Sequence, residues 1–122
     1  MKEHTSKKIL VIDDEEYALE LLSISLRDEG FDAFTAQTGQ DAINKLEQGN
    51  PDLIIMDVQM PGTDTLGLLH KIKERRHMLP VITYTGFDYR PELADWKHGT
   101  NAFIVKSSDL NGLIKQVKKL LA

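Results

Sequence analysis

The chain has 122 residues, no cysteine and a formal net charge of -4. This length suits one domain over residues 1–122, with a polar tail over 1–6, and is too short for two domains of ordinary size. The lack of cysteine excludes a disulfide framework and thiolate metal sites, and the acidic balance argues against a nucleic-acid-binding face. At 41% hydrophobic and 28% charged residues, the composition is that of a soluble globular protein.

The sequence shows no sign of a membrane segment. No apolar run approaches the roughly 20 residues that cross a bilayer. The N-terminal segment MKEHTSKK is polar and lacks the apolar stretch of a signal peptide. We therefore expect a cytoplasmic protein that does not contact the membrane.

The N-terminal half of the chain alternates strand and helix patterns. Residues 9–12 are a continuous apolar run typical of a strand buried on both faces, whereas residues 31–36 have polar interruptions that suit an edge strand. A helical pattern follows each run, and Gly30 and Gly49 stand where the helices should stop. The apolar stripes of these two helices consist of Leu19, Leu22 and Leu26, and of Ala42, Ile43 and Leu46.

Three more strand and helix pairs follow. Residues 53–56, 81–84 and 102–105 are apolar runs too short for helices. The helix after the second of these runs is short, covering residues 91–98 before Gly99. The stripes of the other two helices consist of Leu68, Leu69 and Ile72, and of Leu110, Leu113, Ile114, Val117 and Leu121. Five strand–helix pairs predict an α/β fold with right-handed crossovers and a parallel sheet covered on both faces.

Polar side chains follow four of the strands at the point where each strand ends. Asp13 and Asp14 follow the first, Asp57 the third, Thr85 the fourth and Lys106 the fifth. Ligands of such sheets bind outside the carboxyl ends of the strands. We therefore expect three carboxylates, a hydroxyl and an ammonium to meet at this edge, which we call the strand-end rim.

Each of these residues also has an ordinary structural interpretation. The Asp13–Asp14 pair could cap the following helix, because aspartate is a favoured N-cap. Asp57 could belong to a turn before Pro61, Thr85 could satisfy backbone groups at a strand end, and Lys106 could face solvent. The occurrence of all five residues at one rim favours a functional site.

Four segments resemble the receiver domain of two-component response regulators. They are VIDDEE, MDVQMPGTD, ITYTG and AFIVKS, which occur in this order over essentially the whole chain. The resemblance implies a flavodoxin-like, doubly wound (βα)5 fold with strand order 2-1-3-4-5.

The resemblance also implies a phosphoacceptor and a metal site. Asp57 matches the phosphoacceptor, Asp13 and Asp14 match the acidic pair that holds Mg²⁺ with it, and the backbone carbonyl of Gln59 matches a fourth ligand. Charge supports this independently, since three carboxylates and one lysine leave a formal charge of -2 that one Mg²⁺ would cancel. Carboxylates about 4 Å apart repel by roughly 4 kcal/mol at an effective dielectric of 20, so a cation is expected there.

Three further residues match the family's switch machinery. Thr85 matches the hydroxyl that follows the phosphoryl group, Lys106 the ammonium that pairs with that group, and Phe103 the aromatic whose rotamer reports activation. The implied donor is a phosphohistidine on a sensor histidine kinase or phosphotransfer protein. The implied output is a partner-binding surface formed by the fourth helix, fifth strand and fifth helix.

The expected function is therefore that of a receiver, which catalyses its own phosphorylation and dephosphorylation and turns over no separate substrate. One alternative is a pseudo-receiver that binds a partner without phosphate chemistry. Another is a receiver that belongs to a longer protein. Aromatic Phe103 also has a plain alternative as a core residue of an edge strand.

The chain departs from the family pattern at two places, and one variable position bears on lifetime. Thr65 replaces a usual glycine, with Gly67 two residues on, which leaves the start of the third helix open. Ser107 replaces the usual cis proline, so we expect a trans bond after Lys106 and a less rigidly held ammonium. Phe87 should border the path of the attacking water and slow dephosphorylation.

Overall fold

A computed structural model describes residues 6–86, 100–106 and 110–122. The strands are β1 (Lys8–Ile12), β2 (Asp32–Ala36), β3 (Leu53–Met56), β4 (Val81–Thr85) and β5 (Ala102–Val105). The helices in the described residues are α1 (Glu16–Asp28), α2 (Gly39–Gly49), α3 (Thr65–Arg75) and the last helix (Asn111–Leu121). Several predicted features lie outside the described residues: the helix over 91–98, Gly99, Phe87 and the bond from Lys106 to Ser107.

The five strands form one parallel sheet in the order β2-β1-β3-β4-β5. This confirms the predicted fold class and strand order. It also confirms that the weakly apolar second strand, β2, lies at an edge of the sheet. The order reverses direction between β1 and β3, so the strand ends at that point are free to form a site.

Two apolar layers cover the sheet, one on each face. Leu10 and Ile12 of β1 face α2 and α3, whereas Ile9 and Val11 face α1 and the last helix. All four side chains are at most 1% exposed, so burial contributes roughly 1.5–3 kcal/mol for each. None of the described helices is long and apolar enough to span a membrane.

The helix ends follow the sequence closely, with one correction. Gly30, just past α1, has a φ of +94°, as a helix-stopping glycine should. At the end of α2, however, Asn50 rather than Gly49 takes the left-handed conformation, with a φ of 47°. Gly49 has a different role, because a Cβ there would come within 2.5 Å of the Phe34 ring. Glycine is needed at this position for close packing on β2.

The outer edge of β2 has its carbonyls occupied by side chains. The backbone groups of Asp32 and Ala36 form hydrogen bonds on the β1 side of the strand. The alternate residues, Ala33 and Thr35, therefore point their carbonyls away from the sheet. Arg27 from α1 donates to the Ala33 carbonyl at 3.1 Å. Lys45 from α2 donates to the Thr35 carbonyl. Each of these two outward carbonyls therefore has a cationic partner.

Candidate functional site

Backbone hydrogen bonds carry the sheet ladder one residue beyond its strands and place the site residues. The amide of Asp13 donates to the carbonyl of Ala36 at 3.1 Å, and the amide of Asp57 donates to that of Ile12 at 3.0 Å. The amide of Lys106 donates to the carbonyl of Thr85. Asp13 and Asp57 are thus fixed at the ends of buried strands, and Lys106 is fixed at the end of the half-buried edge strand β5. The three carboxylates and the ammonium that we expected at the strand-end rim meet there.

Asp57 is held by two donors, one on each oxygen. It is 5% exposed, and its Oδ1 accepts a hydrogen bond from the Gln59 amide at 2.8 Å. Its Oδ2 accepts from the Lys106 ammonium at 2.9 Å. The carboxylate is therefore oriented on both sides although little of it reaches solvent.

Asp13 is held in the same way. It is 1% exposed, its Oδ1 accepts from the Glu15 amide at 2.9 Å, and its Oδ2 accepts from Lys106 at 3.2 Å. Its bond to Glu15 closes a local turn before the helix instead of capping it, since α1 begins at Glu16. The capping interpretation of Asp13 is therefore wrong.

Lys106 joins the two buried aspartates. Its Nζ bridges Asp13 and Asp57 and lies 5.7 Å from the centre of the Tyr84 ring, a cation–π distance. The side chain is 24% exposed, so it is not a freely solvated lysine. We expected this ammonium to be loosely held before a phosphoryl group arrives. The structure contradicts that expectation, because both carboxylates already hold it.

The pKa values show that one lysine does not fully balance the site. Burial raises the pKa of Asp57 above the ordinary 3.8, against the lowering effects of the Gln59 amide and of Lys106. Burial lowers the pKa of Lys106, but its bonds to Asp57 and the charges of Asp57 and Asp13 outweigh this and raise the pKa overall. Burial thus disfavours the charged form of Asp57 even beside Lys106, whereas the two carboxylates favour the charged form of Lys106.

Three acidic residues at the rim lie close enough together to hold a divalent cation. Asp13, Asp14 and Asp57 each offer an oxygen, and these oxygens lie within 4.8 Å of one another. Asp14 is exposed, so the cluster opens to solvent on one side. All three candidate metal ligands are carboxylate oxygens, the type of ligand that Mg²⁺ prefers. With Lys106 counted, the group keeps a formal charge of -2, which fits one divalent ion.

The remaining predicted residues are Thr85, Gln59 and Phe103. Thr85 is fully buried at the end of β4, and Gln59 lines an open pocket of about 420 Å³ with Asp14, Asp57 and Lys106. Phe103 lies farther back in β5, opposite Thr83, and packs against the core layer under α2 and α3. Phe103 is therefore connected to the site by the pairing of β5 with β4 and is not part of the acidic cluster.

Sequence reasoning missed contacts made by backbone groups and by Thr65. The amides of Glu15 and Gln59 orient the two buried aspartates, and no side-chain pattern reveals them. Thr65 donates from Oγ1 to the Val58 carbonyl at 2.9 Å. The only signal for that bond was the threonine in place of the expected glycine.

Comparisons with known proteins agree with this geometry. The family model described as the response regulator receiver domain matches residues 9–118. The alkaline phosphatase synthesis transcriptional regulatory protein PhoP of Bacillus subtilis (strain 168) is 39% identical over 83 residues. That match covers 68% of this chain and 35% of PhoP, so the chain spans about a third of that relative's length.

Two crystal structures of one relative are also similar. Response regulator protein TrrA from Thermotoga maritima, in complex with Mg²⁺–BeF, is 37% identical with a TM-score of 0.84, over 93% of this chain and 98% of TrrA. TrrA in complex with the histidine kinase ThkA matches with the same identity and TM-score, over 95% of this chain and 99% of TrrA. The site geometry, the sheet order and the family match over most of the chain agree: this protein belongs to the response regulator receiver domain family of two-component systems.

Proposed function

We propose that this receiver accepts a phosphoryl group on Asp57 and loses it again by hydrolysis. The observation that carries the proposal is the buried pair of Asp13 and Asp57 bridged by Lys106, with Asp14 completing a cluster of carboxylates within 4.8 Å. A pseudo-receiver would have no use for this arrangement. Its buried negative charge would only reduce the stability of the fold.

Asp57 is the proposed nucleophile. One carboxylate oxygen forms a bond to phosphorus while the phosphorus–nitrogen bond of a phosphohistidine donor breaks, and the electron pair stays on the imidazole nitrogen. Lys106 lies 2.9 Å from Asp57 Oδ2 and can pair with the oxygens of the incoming group. The Gln59 amide keeps the carboxylate facing the pocket. Such transfer depends mainly on positioning and on neutralising charge.

A divalent ion is part of the proposal. Asp13, Asp14 and Asp57 would hold Mg²⁺, with the backbone carbonyl of Gln59 as a further ligand. When bound, Mg²⁺ supplies the positive charge that the phosphoryl oxygens need at a site of formal charge -2. TrrA, at 37% identity, was crystallised in complex with Mg²⁺–BeF, which supports the same ion here.

The proposed partners are a phosphohistidine donor and a downstream protein. TrrA was crystallised with the histidine kinase ThkA, which supports a sensor kinase or phosphotransfer protein as donor. The proposed output surface consists of the predicted helix over 91–98, β5 and the last helix. The proposed setting is the cytoplasm, because a chain without cysteine suits a reducing compartment.

Intact-protein mass spectrometry tests the proposal directly. The protein is incubated with Mg²⁺ and phosphoramidate, whose phosphorus–nitrogen bond resembles that of phosphohistidine, or with acetyl phosphate. We expect the mass of one phosphoryl group on the wild type and none on Asp57→Asn. Asp28→Asn is the matched control, because Asp28 is an exposed aspartate at the end of α1 and should leave labelling intact.

Two further experiments test whether phosphorylation depends on the divalent ion. Excess chelator should abolish labelling of the wild type, and Asp14→Asn should demand a higher Mg²⁺ concentration for the same rate. We expect that concentration to rise at least tenfold, since changing even an outer partner of a metal ligand has about that effect. Labelling retained by Asp57→Asn, or complete labelling in chelator, would refute the assignment. A wild type that never labels would favour the pseudo-receiver.

A further inference from the structure

One peptide group beside the site is held at both of its ends. It joins Val58 to Gln59, directly after Asp57. Its N–H, on Gln59, donates to Asp57 Oδ1 at 2.8 Å. Its C=O, on Val58, accepts from Thr65 Oγ1 at 2.9 Å. A trans peptide is planar and its N–H and C=O point in opposite directions, so fixing one end fixes the other.

Thr65 is well placed to hold that peptide. It is the first residue of α3, it is 8% exposed, and its neighbour Asp64 caps the helix by accepting from the Gly67 amide. The helix start is therefore anchored independently of the Thr65 hydroxyl. The hydroxyl reaches back across the loop to Val58, seven residues earlier.

Within the described residues, one other hydrogen bond holds the loop between Val58 and Thr65. It closes a turn in which the Thr63 amide donates to the Met60 carbonyl at 3.0 Å, with Gly62 at a φ of +81°. That turn lies beyond Gln59 and makes no hydrogen bond to the Val58–Gln59 peptide. The Thr65 hydroxyl is the side-chain donor that opposes rotation of that peptide.

We propose that Thr65 is a positioning residue for phosphorylation, acting through the Val58–Gln59 peptide on the Asp57 carboxylate. This inference rests on the proposed function of Asp57. Without the hydroxyl, the peptide can rotate, and the Gln59 N–H leaves Asp57 Oδ1. The carboxylate then keeps only Lys106 as a side-chain or amide donor in the described structure and samples orientations that do not face an incoming phosphoryl group.

The test compares Thr65→Val, which keeps the shape but removes the hydroxyl, with Thr65→Ser, which restores the hydroxyl. Thr65→Ala provides a second deletion with a smaller side chain. Thr38→Val is the matched control, because the Thr38 hydroxyl caps α2 by accepting from the Asp41 amide and, among the described residues, makes no hydrogen bond to Asp57 or Gln59. Circular dichroism melts establish that each variant folds.

The first readout needs neither metal nor phosphate. Hydrogen exchange of the Gln59 amide is followed by NMR in chelator, together with its proton chemical shift. We expect Thr65→Val and Thr65→Ala to speed this exchange about tenfold and to move the amide shift upfield, and Thr65→Ser to resemble the wild type. Thr38→Val should leave the Gln59 amide unchanged although it lowers the melting temperature.

The second readout is the rate constant of phosphorylation by phosphoramidate in saturating Mg²⁺. Both hydroxyl deletions should slow it by about tenfold, within the hundredfold that a 1 Å misplacement of reacting groups can cost. Thr65→Ser and Thr38→Val should stay within about twofold of the wild type. This pattern separates positioning from stability, since Thr38→Val loses stability without losing rate.

Three results would overturn the inference. They are an unchanged Gln59 amide in Thr65→Val and Thr65→Ala, a changed amide with an unchanged rate, and a Thr65→Ser variant as slow as the deletions. Failure of the proposed function looks different: the wild type itself would remain unlabelled, while the Gln59 amide would still respond to loss of the hydroxyl.

Discussion

Asp57 is a carboxylate that the fold buries without fully neutralising. Its two oxygens have good partners in the Gln59 amide and the Lys106 ammonium. Burial nevertheless raises its pKa, and the neighbouring charge of Asp13 adds to that rise. A group in this state costs folding free energy while it waits for its ligand. Functional sites commonly carry such a cost.

This cost predicts that Asp57→Asn stabilises the protein in the absence of divalent ions. The wild type loses stability as pH rises through the folded-state pKa of Asp57, because that pKa lies above the unfolded value. Asparagine does not titrate and escapes this loss. We expect a gain in unfolding free energy of about 1–3 kcal/mol at pH 7, the range for an incompletely compensated buried polar group. Urea unfolding in chelator measures it.

The pH dependence supplies the check on this explanation. The advantage of Asp57→Asn should shrink as pH falls and disappear below the ordinary aspartate pKa of 3.8, where both states of the wild type are protonated. Adding Mg²⁺ at pH 7 should stabilise the wild type more than the variant. Exposed Asp28→Asn should show neither effect. An Asp57→Asn protein less stable than the wild type in chelator at pH 7 would contradict the account.

At the residue scale, the sequence predicted the charged members of the site but not what orients them. Asp13, Asp57 and Lys106 each follow an apolar strand, and parallel strands bring their ends to one edge, so their meeting was predictable. The role of Thr65 was not, because it depends on how the loop after Asp57 turns back toward α3. Loop backbone conformation leaves no periodic signal in the sequence.

At the scale of elements, α3 has an unusual start. Asp64 caps it through the Gly67 amide at 3.0 Å, and a Cβ at position 67 would lie 2.4 Å from Asp64 Oδ2. Gly67 thus leaves room for the cap. The question left open by the Thr65 substitution is resolved, since α3 begins at Thr65 with glycine required two positions later.

We predict opposite effects for alanine at two helical glycines. Gly67→Ala should destabilise the protein by about 1 kcal/mol or more, because displacing the Asp64 cap costs about as much as a lost N-cap and outweighs alanine's better helix propensity. Gly112→Ala in the last helix should stabilise it by about 0.5–1 kcal/mol, because a Cβ there meets none of the described residues within 4 Å. Chemical unfolding of both variants measures the difference. Equal effects of the two substitutions would contradict the steric role of Gly67.

The presence of the strands and helices was easier to predict than the residues at which they begin and end. The apolar runs predicted each described strand, and the structure moved the bounds by about one residue, as with β4, which extends to Thr85. The predicted end of α2 at Gly49 is confirmed, but Asn50 makes the left-handed turn while Gly49 allows close packing on Phe34. A glycine in a sequence does not reveal whether backbone conformation or close packing requires it.

At the scale of the whole molecule, the sheet connects the rim to the far edge. Thr85 at the end of β4 lies opposite Val105 of β5. Phe103, also in β5, lies opposite Thr83 of β4. Phe103 is only partly buried against the core layer, so a change of its rotamer needs little repacking. We propose a switch that uses this path. On phosphorylation, Thr85 moves toward the phosphoryl oxygens and Phe103 turns inward.

The switch predicts a response beyond the site. With Mg²⁺ and beryllofluoride bound, NMR chemical shifts should change in β5 and the last helix as well as around Asp57. Thr85→Ala should keep the changes around Asp57 and lose most of the distant ones, whereas Thr85→Ser should keep both because it retains the hydroxyl. Changes confined to the acidic cluster in the wild type would show that no such switch operates.

The side chains of Arg27 and Lys45 at the β2 margin also affect how copies of this chain meet one another. An uncovered edge strand is a template on which another chain can add a strand, and inserted cations are a means of preventing it. Here the Ala33 and Thr35 carbonyls are already occupied, one from each face of the sheet. Replacing Arg27 and Lys45 by methionine should raise self-association in sedimentation velocity runs, and replacing exposed Lys115 and Lys119 should not. Two side chains remote from the proposed phosphorylation chemistry would then limit how readily this signalling protein pairs with copies of itself.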